Sequence, residues 1–383
     1  MTNIVINPGT TGEHHRFHFL DALRGLAAVL VIMRHAPRSF AQPFATENSF
    51  LAVDFFFCLS GFVIAFSYEK RLCSFLTFKS FLVARLIRLY PIATLGTFVG
   101  AIELVIKMQL RGILSKFILP ITIETVLGLL VLPSLSLNLF PLDGVMWTLF
   151  CELVANLFYA ALLRLRLAST GIIVGLATLA AVSLFAERLQ LGTLDLGSTA
   201  DRAYVGFSRV SMSFLLGVLT FRIYRHRAPA RSPVWRASLL AGITLTFIFV
   251  LSLCGPPVLT RNPASEFAML ILLFPLIIYL GAHVSLSSRW TALCAFLGTI
   301  SYPLYVLHPP MLLPLGLPPA IRFAHEHQAF AAFIMLGYTA LLVMLCWAAA
   351  QFYDTPARKI LTRLFQGVKT PQKRKELTDS TAR

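Results

Sequence analysis

Charged residues are scarce in this chain. Asp, Glu, Lys and Arg make up only 13% of its 383 residues, whereas 57% are hydrophobic, and the mean hydropathy is +0.75. No long hydrophilic stretch interrupts the apolar runs, which excludes a sizeable water-soluble domain. Runs long enough to cross a bilayer recur from end to end. The sequence therefore predicts an all-α, polytopic membrane protein.

Acidic residues are the scarcer of the two charge types. The chain has 17 Asp and Glu against 33 Lys and Arg, which gives a formal net charge of +16. The basic residues gather in short loops between apolar segments and in the C-terminal tail, as expected where positive charge fixes membrane topology. No basic stretch is interleaved with stacking aromatics in a hydrophilic domain, so we expect no nucleic-acid partner.

Motifs for metal binding, disulfide formation and secretion are missing. None of the six cysteines forms a CxxC pair, and five lie in or beside apolar runs. We interpret them as small apolar residues, and we expect no metal site. The polar N-terminus leads into a long apolar segment without a convincing cleavage site, which predicts a retained first span. No internal repeat is detectable.

Eleven apolar segments are candidates for crossing the membrane. They lie near residues 19–38, 50–68, 83–106, 117–134, 147–163, 169–186, 204–221, 237–254, 265–282, 291–313 and 329–352. Segment 117–134 carries two prolines and a glutamate. If it does not cross, the basic loop 221–236 and the basic tail 355–375 both fall on the inner side. The prediction is therefore ten transmembrane helices with both termini cytoplasmic. The expected domains are a polar tail (1–16), a membrane domain (17–358) and a basic cytoplasmic tail (359–383).

Arg24 and His35 lie inside the first apolar segment, where a charged side chain in lipid is costly. Eleven residues separate them, which is three helical turns plus about 20°, so they share one helix face about 16 Å apart along the axis. The predicted topology puts Arg24 towards the cytoplasm and His35 in the outer half. Either they serve a function, or Arg24 snorkels to the interface and His35 marks the outer helix end.

The second and third segments carry further polar residues. Asp54 enters at the outer end of the second segment, with Ser60 and Gly61 deeper. This predicts either a channel lined by small residues beside an acidic group, or a packing notch with Asp54 as a helix cap. Arg85 and Arg88 stand three residues apart at the cytoplasmic end of the third segment. They suit the phosphates of a nucleotide-bearing cofactor or, equally, lipid head groups.

Two later segments complete the pattern. Trp147 marks an outer boundary, and Glu152 lies inside the span that follows, where a carboxylate indicates function by default. Ser301, Tyr305 and His308 project from one face of a late segment. Taken together, histidines and carboxylates fall in the outer half and arginines towards the cytoplasm. This predicts a path with an anion-binding mouth inside and acid–base chemistry further out.

Five motifs, in the expected order, resemble the acyltransferase 3 family of integral-membrane O-acyltransferases. They are LDALRGLAAVLVIMRH, FFFCLSGFVIA, ARLIRLYP, WTLFCELVANLFY and ISYPLYVLHPP, and the resemblance covers residues 17–358. It implies a ten-helix protein that takes an acyl group, commonly acetyl, from acyl-CoA on the cytoplasmic side. The acceptor is implied to be a hydroxyl, often of a sugar in an envelope glycan. The implied location is the bacterial inner (plasma) membrane.

The resemblance makes Arg24 and His35 the most important pair, and the chemistry of acyl transfer predicts roles for individual residues. His35 is the predicted general base, paired with Arg24 from the same motif, while Glu152 or Asp54 orients the imidazole. The acyl donor is assigned to Arg24, Arg85, Arg88 and Ser60, with a covalent acyl carrier as the alternative role of Ser60. The hydroxyl acceptor is assigned to Trp147, Tyr305 and His308.

Two positions depart from the family pattern, and one other function stays open. Ala84 stands where an arginine often precedes Arg85, and Asp354-Thr-Pro356 replaces a Glu-x-Pro motif. The alternative function is a proton-coupled transporter or flippase of a glycan or lipid-linked precursor, with the buried histidine and carboxylates as a relay. Repeated halves are typical of transporters, and their absence favours the acyltransferase.

Overall fold

The computed structural model describes residues 16–41, 47–227, 235–256 and 258–366, and this part of the chain is helical with no β-strand. Its long helices are α1 (His18–His35), α2 (Ala52–Ser74), α3 (Phe78–Leu110), α4 (Leu114–Leu129), α5 (Met146–Arg164), α6 (Thr170–Leu191), α7 (Ala203–Arg227), α8 (Trp235–Cys254), α9 (Pro263–Gly281), α10 (Ser288–Met311), α11 (Gln328–Ala348) and α12 (Thr355–Gln366). Short helical turns connect several of them. A π-helical turn, Ala349–Asp354, joins α11 to α12.

Eight helical stretches in the described residues are long and apolar enough to cross a membrane. The prediction of an all-α, polytopic membrane protein is therefore confirmed. Helix α4, with 16 residues, is only about 24 Å long, which is short of a hydrocarbon core of about 30 Å. The number of ten crossings and the cytoplasmic side of the termini stay predictions.

Two contacts along α2 and α5 fix their relative direction. Ser60 donates a hydrogen bond to Glu152, with 2.7 Å between Oγ and Oε1, and further along both helices Tyr159 donates to Glu69 at 2.5 Å. The contacts follow the same order in both helices, so α2 and α5 run parallel. An odd number of crossings must therefore separate them.

Helix α3 supplies that crossing. Arg85, near its start, lies 3.2 Å from Glu152, whereas Gly100, near its end, packs against Leu142 just before α5. Helix α3 is thus antiparallel to α5, and the chain leaves α3 and enters α5 at the same end of the bundle. Helix α4 lies between them. This is the arrangement that a non-crossing segment 117–134 requires.

Helices α1 and α10 form a parallel pair that is in contact along most of α1. Near the start, Arg24 donates through Nε to Ser301 Oγ at 2.8 Å, and at the far end His35 meets His308. The two backbones approach closely at Gly25, where an added Cβ would lie 2.7 Å from the Leu297 carbonyl oxygen. A larger residue at position 25 would therefore force the helices apart.

Helices α2 and α7 pack through a similar notch. A Cβ on Gly61 would lie 1.9 Å from the carbonyl oxygen of Phe214, and a Cβ on Gly217 would lie 1.9 Å from that of Cys58. The aromatic core of the bundle lies around this contact and includes Phe62. The pairs α1–α10 and α2–α7 thus bring the polar residues of distant segments together.

Helix α12 continues across the predicted domain boundary at residue 358. Of the predicted polar tail 1–16, all but Arg16 lies outside the described residues, and so do residues 367–383 of the predicted basic tail. The domain limits stay predictions.

Candidate active site

The imidazoles of His35 and His308 meet where α1 and α10 end. Nε2 of His308 lies 3.3 Å from Nδ1 of His35, and the ring centroids are 5.0 Å apart. His308 is 0% exposed, whereas His35 is exposed at the helix end. The pair therefore joins a buried imidazole to one that is open to an incoming group.

Backbone carbonyls determine which ring nitrogen carries the proton. Nδ1 of His308 lies 2.8 Å from the Tyr305 carbonyl oxygen and 3.1 Å from that of Leu304, so it carries a proton and donates to them. In neutral His308 the Nε2 atom is then an acceptor. Nδ1 of His35 faces this acceptor and also lies 2.9 Å from the Val31 carbonyl oxygen, so it too carries a proton. Among the described residues, Nε2 of His35 has no hydrogen-bond partner, so its lone pair can take a proton.

The same contacts stabilise a positive charge on His35. Both partners of its Nδ1–H, the Val31 carbonyl and Nε2 of His308, are acceptors, and their hydrogen bonds strengthen when the ring becomes an imidazolium. His308 does not donate to His35, because its own proton is held by two carbonyls. His35 therefore has the geometry of a general base, and His308 that of the group that orients it.

A second group of predicted residues meets deeper in the bundle, around Glu152. Oε1 of Glu152 accepts hydrogen bonds from Ser60 at 2.7 Å and from Arg85 at 3.2 Å. Across the bundle, Arg24 donates to Ser301 and to the Gly298 carbonyl oxygen at 3.0 Å, and it pairs with Asp21 at 3.1 Å. Arg24 is within electrostatic range of Glu152. We call this group of arginines, together with Arg88 and Arg358, the arginine cluster.

The arginine cluster has unused hydrogen-bond donors. Arg88 is exposed and lies within electrostatic range of Arg24, Arg85 and Arg358. Arg358 pairs with Asp354 at 2.6 Å. The Nε–H groups of Arg85 and Arg358 are buried and have no acceptor in the part of the chain that the structure describes. An anion between these guanidinium groups would supply the missing acceptors, so the residues fit the phosphates of an acyl-CoA.

Asp54 belongs to a third group, in which it forms a buried ion pair with Arg209. Their closest atoms are 2.6 Å apart, and the two side chains are 0% and 1% exposed. Arg209 also donates to the carbonyl oxygens of Phe50 and Leu196, and its guanidinium lies 5.8 Å from the Trp147 ring. Asp54 and Trp147 thus hold the connection between α6 and α7 in place.

The structure therefore divides the predicted site residues among three places. Val31 and His308 orient His35, while Glu152 and Asp54, which were predicted for that task, bond Arg85 and Arg209 instead. Tyr305 lies one turn before His308, and its hydroxyl shares a 2.9 Å hydrogen bond with Thr148. Its ring centroid is 6.2 Å from that of His308, so Tyr305 lies beside the histidine pair.

Comparison with known protein families shows which family the chain belongs to. The family model described as an acyltransferase domain, acyltransferase 3, matches residues 17–350. The chain belongs to the acyltransferase 3 family. "Protein 2 in picA locus" of Rhizobium radiobacter is 42% identical over 159 residues, a match that covers 38% of this chain and 81% of that protein. No solved structure matches the chain significantly.

The family resemblance predicted from the five motifs is thus confirmed. In this acyltransferase 3 protein, the matched residues 17–350 include the helices that are long and apolar enough to cross a membrane. No group of three or more His, Cys, Asp or Glu side chains is placed to hold a metal ion among the residues that the structure describes.

Two residues of this acyltransferase 3 protein were missed by the sequence reasoning. Arg209 lies within the apolar segment 204–221, and an arginine inside a span is itself a signal that could have been used. Arg358 follows Asp354 by four residues, the spacing of a helical ion pair. At a membrane boundary, however, such an arginine is indistinguishable from a lipid contact in sequence.

Proposed function

We propose that this protein is a membrane O-acyltransferase that moves an acyl group, acetyl by family likeness, from acyl-CoA to a hydroxyl. The proposed acceptor is a sugar of an envelope glycan or a related molecule, and the proposed location is the bacterial inner membrane. The observation that carries the proposal is the histidine pair. In a chain of an acyltransferase family, this pair offers the imidazole of the exposed His35 as a base. The Val31 carbonyl oxygen and Nε2 of His308 stabilise the imidazolium that forms when His35 takes a proton.

In the proposed reaction, Nε2 of His35 takes the proton of the acceptor hydroxyl while that oxygen attacks the thioester carbonyl. The C–O bond forms, the C–S bond breaks, and its electron pair leaves with the sulfur of CoA. The sulfur then receives the proton held by His35, which returns the imidazole to its neutral form. General-base assistance of this kind contributes roughly 10²- to 10⁴-fold to the rate.

The arginine cluster is the proposed site for the phosphates of the donor. Arg24, Arg85 and Arg88 supply the positive charge, and we add Arg358 to this set because its buried Nε–H lacks an acceptor. Glu152 is proposed to hold Arg85 in position, since it bonds both Arg85 and Ser60.

The acceptor is proposed to enter from the side of the exposed His35. Tyr305 lies next to the histidine pair, and Trp147 supports the neighbouring α6–α7 connection, because a Cβ on Gly197 in that connection would lie 2.9 Å from the indole. His308 acts in this proposal by orienting His35.

The test is transfer of labelled acetyl from acetyl-CoA to an envelope-glycan extract by the purified protein, with CoA affinity measured in parallel. We expect His35→Ala to lower the rate of transfer by at least about 100-fold, because general-base assistance contributes roughly 10²- to 10⁴-fold to the rate. Its affinity for CoA should be unchanged. The double variant Arg85→Ala/Arg88→Ala should instead lose CoA affinity. His325→Ala is the matched control, because His325 is exposed on the short helix Pro318–Glu326.

Two results would contradict the proposal at different levels. Transfer at the wild-type rate by His35→Ala would remove His35 as the base but leave the acyltransferase intact. Folded wild-type protein that neither binds CoA nor consumes the thioester would overturn the proposed activity and favour the transporter.

A further inference from the structure

A cavity of about 420 Å³ lies between α5, α6 and α7, and its lining includes no residue of the histidine pair or the arginine cluster. Most of its lining is apolar and includes Phe158 and Leu179. The polar part of its lining consists of three serines, Ser183, Ser208 and Ser211. The walls are apolar, and the neighbouring α6 presents many exposed apolar side chains, which suits contact with lipid chains.

The serines at the polar end present acceptors to the cavity. The hydroxyls of Ser183 and Ser208 both donate to Oε1 of Glu187, at 3.0 and 2.8 Å. Each serine hydroxyl has one proton, and these two protons are committed to the carboxylate. The remaining lone pairs of the serine oxygens can therefore accept hydrogen bonds from a ligand.

Glu187 adds an uncompensated negative charge behind the serines. The residue is 9% exposed, and no ion pair in the described part of the chain involves it. The neighbouring Arg188 is committed to Glu266 at 2.5 Å and to the carbonyl oxygens of Thr260 and Arg261. A buried carboxylate of this kind favours a cationic ligand group nearby, since buried charges are normally paired.

The cavity has the orientation of a lipid in one leaflet. Ser183 lies in the last turns of α6, and four residues beyond that helix Asp195 is ion-paired with Arg34, next to His35. The polar end is therefore at the His35 end of the bundle. Phe158 lies twelve residues into α5, so the apolar part extends towards the middle of the membrane.

We propose that this cavity binds a phospholipid with a primary-ammonium head group from the leaflet at the His35 end. The ammonium N–H groups donate to the oxygens of Ser183 and Ser208, and the positive charge compensates Glu187. One acyl chain follows the apolar wall between α5 and α6. The volume is within the range of about 300–1,000 Å³ that is usual for ligand pockets. The site does not depend on the proposed activity.

The test is native mass spectrometry of the full-length protein in detergent, titrated with three lipids that share dioleoyl chains. Phosphatidylethanolamine offers N–H donors and a positive charge, phosphatidylcholine offers the charge without a donor, and phosphatidylglycerol offers hydroxyl donors without the charge. Wild type should bind one phosphatidylethanolamine at least about tenfold more tightly than either of the others. Glu187→Gln should abolish this preference.

Two further variants keep the test decisive. Glu103→Gln is the matched control, because Glu103 is another carboxylate within a membrane helix but pairs with Lys107 on α3, so the preference should survive. Ala180→Phe fills the cavity from its wall and should remove the tightly bound lipid even if Glu187→Gln fails to fold. Equal affinities for the three lipids in wild type, or an unchanged preference in folded Glu187→Gln or Ala180→Phe, would overturn the proposal.

Discussion

Replacing Asp143 by Asn removes a buried carboxyl group that has no basic side chain as a partner among the described residues. Asp143 lies in the connection before α5 and is 2% exposed. Its Oδ1 accepts a hydrogen bond from the Val145 N–H at 3.3 Å, whereas Oδ2 is buried without a partner in the described part of the chain. Burial, with a further contribution from the charge of Glu103, raises the pKa of Asp143 from 3.8 to about 8. We therefore expect Asp143 to be protonated at pH 7.

The magnitude follows from the difference in pKa between the folded and unfolded protein. A pH of 7 is about three units above the pKa of 3.8 that the carboxyl group has in the unfolded protein, so the group is ionised there. In the folded protein it keeps its proton. Each unit of pKa difference corresponds to ~1.36 kcal/mol. The raised pKa of the folded carboxyl group therefore lowers the free energy of unfolding at pH 7 by up to about 4 kcal/mol. The folded state binds more protons than the unfolded state between pH 4 and 8. Stability from this group therefore falls as pH rises through that range and is constant above it.

Asn is uncharged at every pH and keeps the oxygen that accepts from Val145. The thermal midpoint of Asp143→Asn, relative to wild type, should therefore be little changed at pH 4 and should rise steadily towards pH 8. Thermal melts of both proteins in the same detergent, from pH 4 to 9, measure this difference. Asp201→Asn, which changes an exposed carboxylate, should show no such trend. A pH-independent or falling difference for Asp143→Asn would refute the reasoning.

Two further predictions concern the assembly of the helices. Arg209→Ala leaves Asp54 buried without its partner, so we expect a loss of about 3–5 kcal/mol in the free energy of unfolding, measured by chemical denaturation. Asp54→Leu/Arg209→Met should lose less, because no unpaired carboxylate remains, although the bonds of Arg209 to the Phe50 and Leu196 carbonyl oxygens are still missing. Gly61→Ala places a methyl group 1.9 Å from the Phe214 carbonyl oxygen and should lower the thermal midpoint sharply, whereas Gly175→Ala, with nothing within 4 Å of the new Cβ, should not. Equal midpoints for the two glycine variants would contradict the packing argument.

The membrane fold could be predicted from the sequence because its signal is spread over many residues. Hydropathy alone indicates a polytopic helical protein, and the proline-containing segment 117–134 is distinguishable as the weakest span. The positions of polar residues along each span could also be predicted. Spacing places Arg24 and His35 on one face of α1, and in the structure both face α10.

The pairing of polar residues between helices could not be predicted, because it depends on which helices are neighbours. His35 and His308 are far apart in sequence and meet only because α1 and α10 are parallel and adjacent. From their positions in the sequence, Glu152 and Asp54 were equally good candidates for the carboxylate that orients the imidazole of His35. In the structure each already has an arginine, since a carboxylate inside a bundle is stable when a guanidinium neutralises it.

The position of the arginine cluster relative to the histidine pair limits the proposed reaction. Arg24 and His35 are separated by about 16 Å along one helix, so a donor whose phosphates lie near Arg24 must present its thioester at the end of an extended arm. The distance is fixed at both ends, because Arg24 is held by Ser301 and His35 by His308 on the same partner helix. Between them, α1 and α10 approach closely at Gly25, where an added Cβ would lie 2.7 Å from the Leu297 carbonyl oxygen. In the proposed reaction, the α1–α10 pair therefore sets the distance between the bound phosphates of CoA and the thioester that the activated hydroxyl attacks.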